Sequence, residues 1–249
     1  MLRELYRDVR AALAGVGLEQ YVEPYAHVNV TEALRQSFRP DLVRLVIVAE
    51  SPVRKPDPDF RENGPGLVYN PQYPTPWWDD LLFPGFGGTR SKSIPYRAKC
   101  LRRMRECGVY VIDASIIALS GHQRVDSSWP RRPFDAYREQ LIRDCWVRLT
   151  GHELDLIIAR NPDVVVVLYT TVRDMLGREL RADVAERAFP LKFRCAGNER
   201  VYEEPDYPFG TQAFCTATKH AGLSASLKRI YAERERRLRF TRDPERGSG

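Results

Sequence analysis

The segment "PDVVVVLYT", Pro162 to Thr170, runs from Asp163 to Tyr169 without a polar residue between them and without any polar–apolar alternation. A strand of that kind has no face to show to water. It belongs inside a sheet covered on both sides, as parallel strands are in α/β folds. "LVRLVIVAE" is nearly as apolar and stops on Glu50, followed by Ser51 and Pro52. "GVYVIDAS" is a third such run, and its strand also stops on an acid, Asp113. The pattern predicts strands over Leu42–Ala49, Val109–Asp113, Asp163–Tyr169 and Thr211–Thr216. Helices are expected over Leu2–Ala14, from a Ser93 cap with Pro95 in the first turn to Glu106, over Pro133–Ala159, over Thr171–Arg187, and at the end after "KHAGLSASL". Leu191–Pro208 reads as a hairpin or an edge strand. Strands alternating with helices give an α/β fold: three layers, αβα, around a central, mostly parallel four-stranded sheet.

A length of 249 residues suits one core, so the expectation is a single domain over 1–249. It carries a long insertion at about 54–93 and a basic helical tail at about 228–249. Ser51 to Ser93 holds eight of the chain's 18 prolines and five of its 16 glycines, with Tyr69, Tyr73, Trp77, Trp78, Phe83 and Phe86. A structureless stretch of that length is expected to be a lid or binding loop, with a core plug as the other reading of Trp77 and Trp78. No run approaches the roughly 18 apolar residues of a membrane span. The amino terminus, "MLRELYRDVRAALAGVG", mixes charges at helical spacing, unlike a signal peptide. Cys100, Cys107, Cys145, Cys195 and Cys215 form neither a disulfide framework nor a short metal-binding spacing, which suits a reducing cytoplasm. His27, His122 and His152 show no zinc spacing. No metal and no cofactor are expected.

The net charge is +6, and its distribution says more than its size. Arg90–Arg105, "RSKSIPYRAKCLRRMR", is dense in cations without an acid, and Lys228–Arg246 is nearly as rich. In the first run Arg97 and Lys99 are candidates for phosphate contact. The tail reads equally well as a solvated helix face.

Three loops follow expected strand ends: "AESP" at Glu50, "DAS" at Asp113 and "TKHAGLS" around His220. In a parallel sheet those ends share one side, where ligands of open α/β folds bind. Each residue alone also has a bland reading: Glu50 as a salt-bridge partner, Asp113 as a helix cap, His220 as a surface histidine.

Taken in order, these segments resemble the uracil-DNA glycosylase superfamily. "VIVAESP" is similar to its first motif, a strand followed by Gly-Gln-Asp-Pro or Gly-Glu-Ala-Pro. "GVYVIDAS" resembles the second strand, which ends on a base-reading asparagine in many members. "RNPDVVVVLYTTVRDML" looks like the third strand and its helix, and "KHAGLSASL" like the histidine loop before the last helix. The likeness spans Leu42 to about Tyr231.

The resemblance implies a DNA glycosylase acting on a nucleotide taken out of the stack, with Glu50 and His220 catalytic. Glu50 would position or deprotonate water and balance the sugar cation. His220 would stabilise charge on the departing base at O2. Ser51, Pro52 and Ser224 would touch the flanking phosphates. Ser51 departs from the water-activating Asp of the best-known branch. Val53 replaces a Tyr that excludes 5-substituted pyrimidines there. Asp113 stands where asparagine donates to uracil O4, and an ionised carboxylate only accepts. It would instead accept from the N4 amine of cytosine, as acceptors do in duplex readout; Ser115 is the next polar candidate along. Asp113 and Val53 together point to a 5-modified cytosine, such as the glucosylated hydroxymethylcytosine of some phage DNA, and so to anti-phage defence. The cysteines do not reproduce the iron–sulfur ligands of some members. DNA, single- or double-stranded, is the expected partner of a cytoplasmic monomer with no membrane association. The competing readings are a uracil or deaminated-base repair enzyme, a catalytically silent DNA-binding module, and an α/β nucleotide- or small-molecule-binding protein.

Overall fold

The computed structural model describes residues 1–53, 55, 57–73, 78–87, 91–118, 131–191, 212–230 and 232. In chain order these form α1 (Leu2–Ala14), α2 (Tyr25–Ser37), β1 (Leu45–Ala49), α3 (Asp57–Asn63), α4 (Phe83–Gly87), α5 (Ile94–Glu106), β2 (Val109–Asp113), α6 (Arg131–Cys145), α7 (Gly151–Arg160), β3 (Val165–Tyr169), α8 (Thr170–Leu176), α9 (Ala182–Arg187), β4 (Phe189–Leu191) and α10 (Gln212–His220). Residues 224–230 are helical as well.

The four strands pair in the order β2-β1-β3-β4, all parallel. Every residue of β1 and of β2 is buried, so both faces of the sheet are covered there, as a three-layer αβα arrangement requires. Val46, Ile47 and Val48 are wholly enclosed. Each side chain of that kind contributes about 1.5–3 kcal/mol by leaving water, which is why the strand tolerates no polar position. β1 begins at Leu45 rather than Leu42, whose side chain is half exposed. The start is set by Gly108, at φ +77°, whose carbonyl accepts from the N–H groups of Arg44 and Leu45 at 2.7 and 3.1 Å. A Cβ on Gly108 would come within 2.6 Å of the Leu42 carbonyl oxygen.

Several expectations are corrected. Of the strand expected over Thr211–Thr216, the described part is helix instead: Gln212–His220 is helical, burying Phe214, Ala217 and Thr218 at helical spacing. The fourth strand is instead the short Phe189–Leu191, at the sheet edge beside β3. Its Pro190 is tolerable in a strand only at such a position. α2 was not expected at all, because its inward face is His27, Val28, Thr31 and Arg35, which dilutes the apolar periodicity. The helix expected over Pro133–Ala159 is interrupted by a wide π-helical turn, Trp146–Thr150, and that over Thr171–Arg187 breaks at Gly177, φ +51°.

The stretch from Ser51 to Ser93 is not structureless. It contains α3, a π-helical turn at Trp78–Leu82 and α4, and it buries Leu67, Val68, Tyr69, Leu82, Phe83 and Phe86 in the main core. Tyr69 explains its course. Its hydroxyl accepts from the Val111 N–H at 2.6 Å and donates to the Val111 carbonyl at 3.0 Å. β2 is the outermost of the described strands on that side, and the phenol satisfies backbone groups that an edge strand otherwise leaves open. Trp77 lies outside the described residues. Trp78 packs against the core.

The basic run is also partly internal. α5 turns Arg97, Cys100, Leu101 and Met104 inward. Arg97, only 4 % exposed, is therefore not at a surface phosphate: its Nε and Nη2 bond Asp79 at 2.7 and 2.6 Å, and Nη1 bonds the Pro71 carbonyl. Arg103 donates to the Phe86 carbonyl at 2.9 Å. Arg102 and Arg105 stay exposed. They line an open hollow of about 540 Å³ with Arg44, Asp41 and Glu106, at the amino-terminal ends of β1 and β2.

Candidate functional site

The carboxyl ends of β1 and β2 are brought together by strand register. Ala49 pairs with Asp113. Beyond the last pair, Ala114 donates its N–H to the Ala49 carbonyl and Ser115 donates to the Glu50 carbonyl, each at 2.9 Å. Glu50 and Asp113 therefore stand at neighbouring positions on the rim. Both are buried, at 9 and 5 % exposure.

Their partners differ. Glu50 receives two hydrogen bonds from Arg138 of α6, through Nε and Nη2, one to each carboxylate oxygen. That two-pronged grip holds a carboxylate charged and oriented. Among the described residues Asp113 has no such paired cation, and its Oδ2 meets no hydrogen-bond donor. Burial pushes its carboxyl up to about 7; the Arg35 charge opposes the rise, and the charges of Glu32 and Glu50 add to it.

Under this pair lies a charged network that fixes the sheet to two helices. Arg35 of α2 reaches Glu153 of α7 at 2.7 Å, Glu32 at 2.7 Å and the Tyr110 hydroxyl of β2 at 2.9 Å. The Tyr110 hydroxyl in turn donates to Glu153 at 3.1 Å. Arg35 is thus engaged by two carboxylates before it can serve Asp113. The loop after β2 is pinned separately: Thr150 donates its hydroxyl to the Ala114 carbonyl at 2.8 Å, and the Ala118 N–H donates to Glu23 at 2.9 Å.

The other candidates fall as follows. Ser115 is fully buried and closes its own turn, donating to the Ile117 carbonyl at 2.8 Å, so the rim position belongs to Asp113. Pro52 is buried and Ser51 half-buried beside Glu50. Val53 forms an antiparallel bridge with Gly66, N–H to carbonyl at 2.8 Å. A Cβ on Gly66 would sit 2.3 Å from the Val53 carbonyl oxygen, so glycine is what lets the two backbones meet. Lys99 is half-buried on α5, and Ser224 is exposed at the start of the last described helix.

His220 is not brought to the rim. It is exposed at the end of α10, its ring 5.1 Å from that of Phe189 on β4. Phe189 pairs with Val167, which is level with Ile47. That is three residues, or about 10 Å, short of Glu50 along the strand, and two strands away across the sheet.

Of the aromatics in the segment expected to be a lid, Tyr69, Phe83 and Phe86 are core residues. Tyr73 is half-buried, with the Lys55 ammonium 4.7 Å from its ring centre. Cys100, Cys107 and Cys145 are buried thiols. Among the described residues no group of three or more His, Cys, Asp or Glu is placed to hold a metal ion, and no helix is long and apolar enough to cross a membrane.

Arg138 and Arg35 are the residues that sequence reasoning missed. Each sits in a helix rich in charges, where nothing local distinguishes a cation turned to the sheet from one turned to water. Comparison of the chain with protein-family models, curated proteins and solved structures returns no match.

Proposed function

We propose that this chain is a DNA glycosylase of the uracil-DNA glycosylase type, hydrolysing the N-glycosidic bond of a flipped-out pyrimidine and leaving an abasic site. The observation that carries the reading is the Ala49–Asp113 register. It sets a clamped Glu50 beside an Asp113 whose Oδ2 meets no donor among the described residues, at the ends of adjacent parallel strands. The resemblance expects a water-handling carboxylate and a base reader in those same two places.

On this reading Glu50 orients the attacking water and balances positive charge as the sugar becomes oxocarbenium-like. Arg138 holds Glu50 in place. Asp113 meets the pyrimidine edge, and Val53 leaves room at the 5-position. Ser51, Pro52, Ser224 and Lys99 serve the phosphates. The chemistry rests on Glu50 and Asp113, with His220 outside that pair. The substrate class is a 5-modified cytosine, with the glucosylated hydroxymethylcytosine of phage DNA as the specific case and defence against phage as the role. The reading makes the protein a cytoplasmic monomer acting on DNA.

The test is base release from matched oligonucleotides carrying uracil, cytosine, 5-hydroxymethylcytosine or its glucosylated form, read as alkaline strand cleavage. Cutting at a modified cytosine and not at uracil is expected. Glu50→Gln should lose on the order of 100-fold or more in rate while still binding DNA. Cutting only at uracil would make this a repair enzyme. One observation favours a second reading, a silent DNA-binding module: Arg138 occupies both oxygens of the carboxylate that should meet water. DNA binding with silence on all four oligonucleotides would establish it in place of the first.

A further inference from the structure

Asp113 combines two features that do not suit an ionised acceptor. It is buried with one carboxylate oxygen lacking any donor among the described residues, and an unpaired carboxylate charge in such a place is very costly. The cations close by are engaged elsewhere, Arg138 with Glu50 and Arg35 with Glu32 and Glu153. Among the described residues, the charged and titratable groups that act on it are Arg35 and Glu32 from α2, Glu50 from the end of β1, and Tyr69 from the segment along β2. Within that set, one cation stands against two carboxylates. Its carboxyl, pushed up to about 7, is protonated in a large fraction of molecules at neutral pH.

We propose, building on the glycosylase reading above, that Asp113 meets the base as a neutral carboxylic acid and supplies a proton to ring nitrogen N3 of a cytosine-type base as it departs. A neutral carboxyl offers one O–H donor and one C=O acceptor side by side. Cytosine offers the complement on one edge: N3 accepts, and the N4 amine donates. Two parallel hydrogen bonds result.

The same carboxyl can also pair with the N3–H and O4 of uracil, so recognition alone does not choose between the bases. The chemistry does. Uracil has no basic nitrogen on that edge and leaves as an anion stabilised by two carbonyls. Cytosine is the poorer leaving group, and its N3 lone pair can take a proton.

The step balances as follows. The Asp113 proton passes to N3 while the C1′–N1 bond breaks, and the bonding pair stays on the base. The base leaves as a neutral tautomer protonated at N3. Water adds its oxygen to C1′ and releases a proton through Glu50 to solvent. Asp113, left as a carboxylate, regains a proton from solvent. The substrate class that follows is a pyrimidine with a lone pair at N3 and an amine at position 4, whatever its 5-substituent.

The test is the single-turnover pH dependence of base release from an oligonucleotide carrying 5-hydroxymethylcytosine, for wild type and Asp113→Asn. Asparagine keeps the shape and both hydrogen bonds but has no proton to give. The wild-type rate should fall about tenfold per pH unit above pH 7. Asp113→Asn should lose on the order of 100-fold at pH 6, lack that falling limb, and bind the oligonucleotide as wild type does. A wild-type rate that is flat or rises between pH 6 and 8, or a falling limb that persists in Asp113→Asn, overturns the proposal. Carbon NMR of aspartate-labelled protein adds a readout independent of activity. One carboxyl should titrate near pH 7 in wild type and be absent from Asp113→Asn; titration of every aspartate below pH 5 also overturns it. If the wild type releases no base from any of the four oligonucleotides at any pH, the glycosylase reading itself has failed. Release without the pH limb defeats the Asp113 step alone.

Discussion

Glu50 and Asp113 end two strands that lie side by side, one residue apart in register, and are buried to nearly the same degree. One is gripped by a guanidinium on both oxygens, and the other has an oxygen that meets no donor among the described residues. A third buried carboxylate, Asp79, is treated like Glu50, with Arg97 on both of its oxygens. Buried carboxylates in this molecule thus differ in the partners they are given. At Asp113 no paired guanidinium is found among the described residues, and burial pushes its carboxyl up to about 7, leaving it a proton to trade near neutral pH.

The largest expected effect comes from erasing the difference on the Glu50 side. Arg138→Met leaves a buried carboxylate without its cation and should destabilise the fold by about 4 kcal/mol in urea denaturation at pH 7. Adding Glu50→Gln to it should recover most of that loss, because a neutral amide needs no cation. Independent, additive losses would show that the two side chains are not coupled.

Neutralising the other side should do the opposite. An ordinary aspartate titrates near 3.8, and Asp113 in the fold near 7. Between those values the folded protein holds a proton that the unfolded chain has lost, so stability falls as pH rises from about 4 to about 7 and stays reduced above. Asp113→Asn removes that loss. It should be more stable than wild type by about 4 kcal/mol at pH 8, with the gap closing towards pH 4. Thermal melts across that range decide it, and a constant gap would mean that Asp113 titrates as it does in the unfolded chain.

Tyr69→Phe removes one oxygen from the strand that ends in Asp113 and strands the Val111 N–H and carbonyl. It should cost about 2 kcal/mol in the same denaturation assay, and no loss would mean that other groups take over. Smallest in stability is Lys99→Ala, expected within about 0.5 kcal/mol of wild type. Its effect should lie in DNA binding, where the lost phosphate contact flattens the salt dependence of log K by about 0.9. An unchanged slope would make Lys99 a solvated residue only.

The parallel sheet was legible because β1, β2 and β3 are apolar on both faces, and nothing else folds such runs comfortably. The acids that end them were legible because a carboxylate cannot continue a buried strand. β4 and α10 were exchanged, since three residues with a proline carry almost no strand signal, and "TQAFCTAT" mixes β-branched threonines with helical spacing. α2 escaped because Arg35 occupies a core position that only Glu32, Glu153 and Tyr110, distant in sequence or polar, make tolerable. Arg138 escaped for the same reason. Which cation meets which carboxylate is fixed by how helices lie on the sheet, and that information is not local. Likewise the proline- and glycine-rich segment reads as a lid, whereas its aromatics serve the core.

Tyr69 offers a direct way to watch that segment move. Val111 is the rare strand amide whose bond is made by a phenol from a separate stretch of chain, not by a neighbouring strand. Its proton can exchange with heavy water only when the phenol withdraws. The adjoining amides of β2 that bond to β1 stay protected until the sheet itself opens. A Val111 signal that fades earlier than those neighbours would time the parting of the segment from the sheet, residue by residue, without a ligand, a label or an assay of activity.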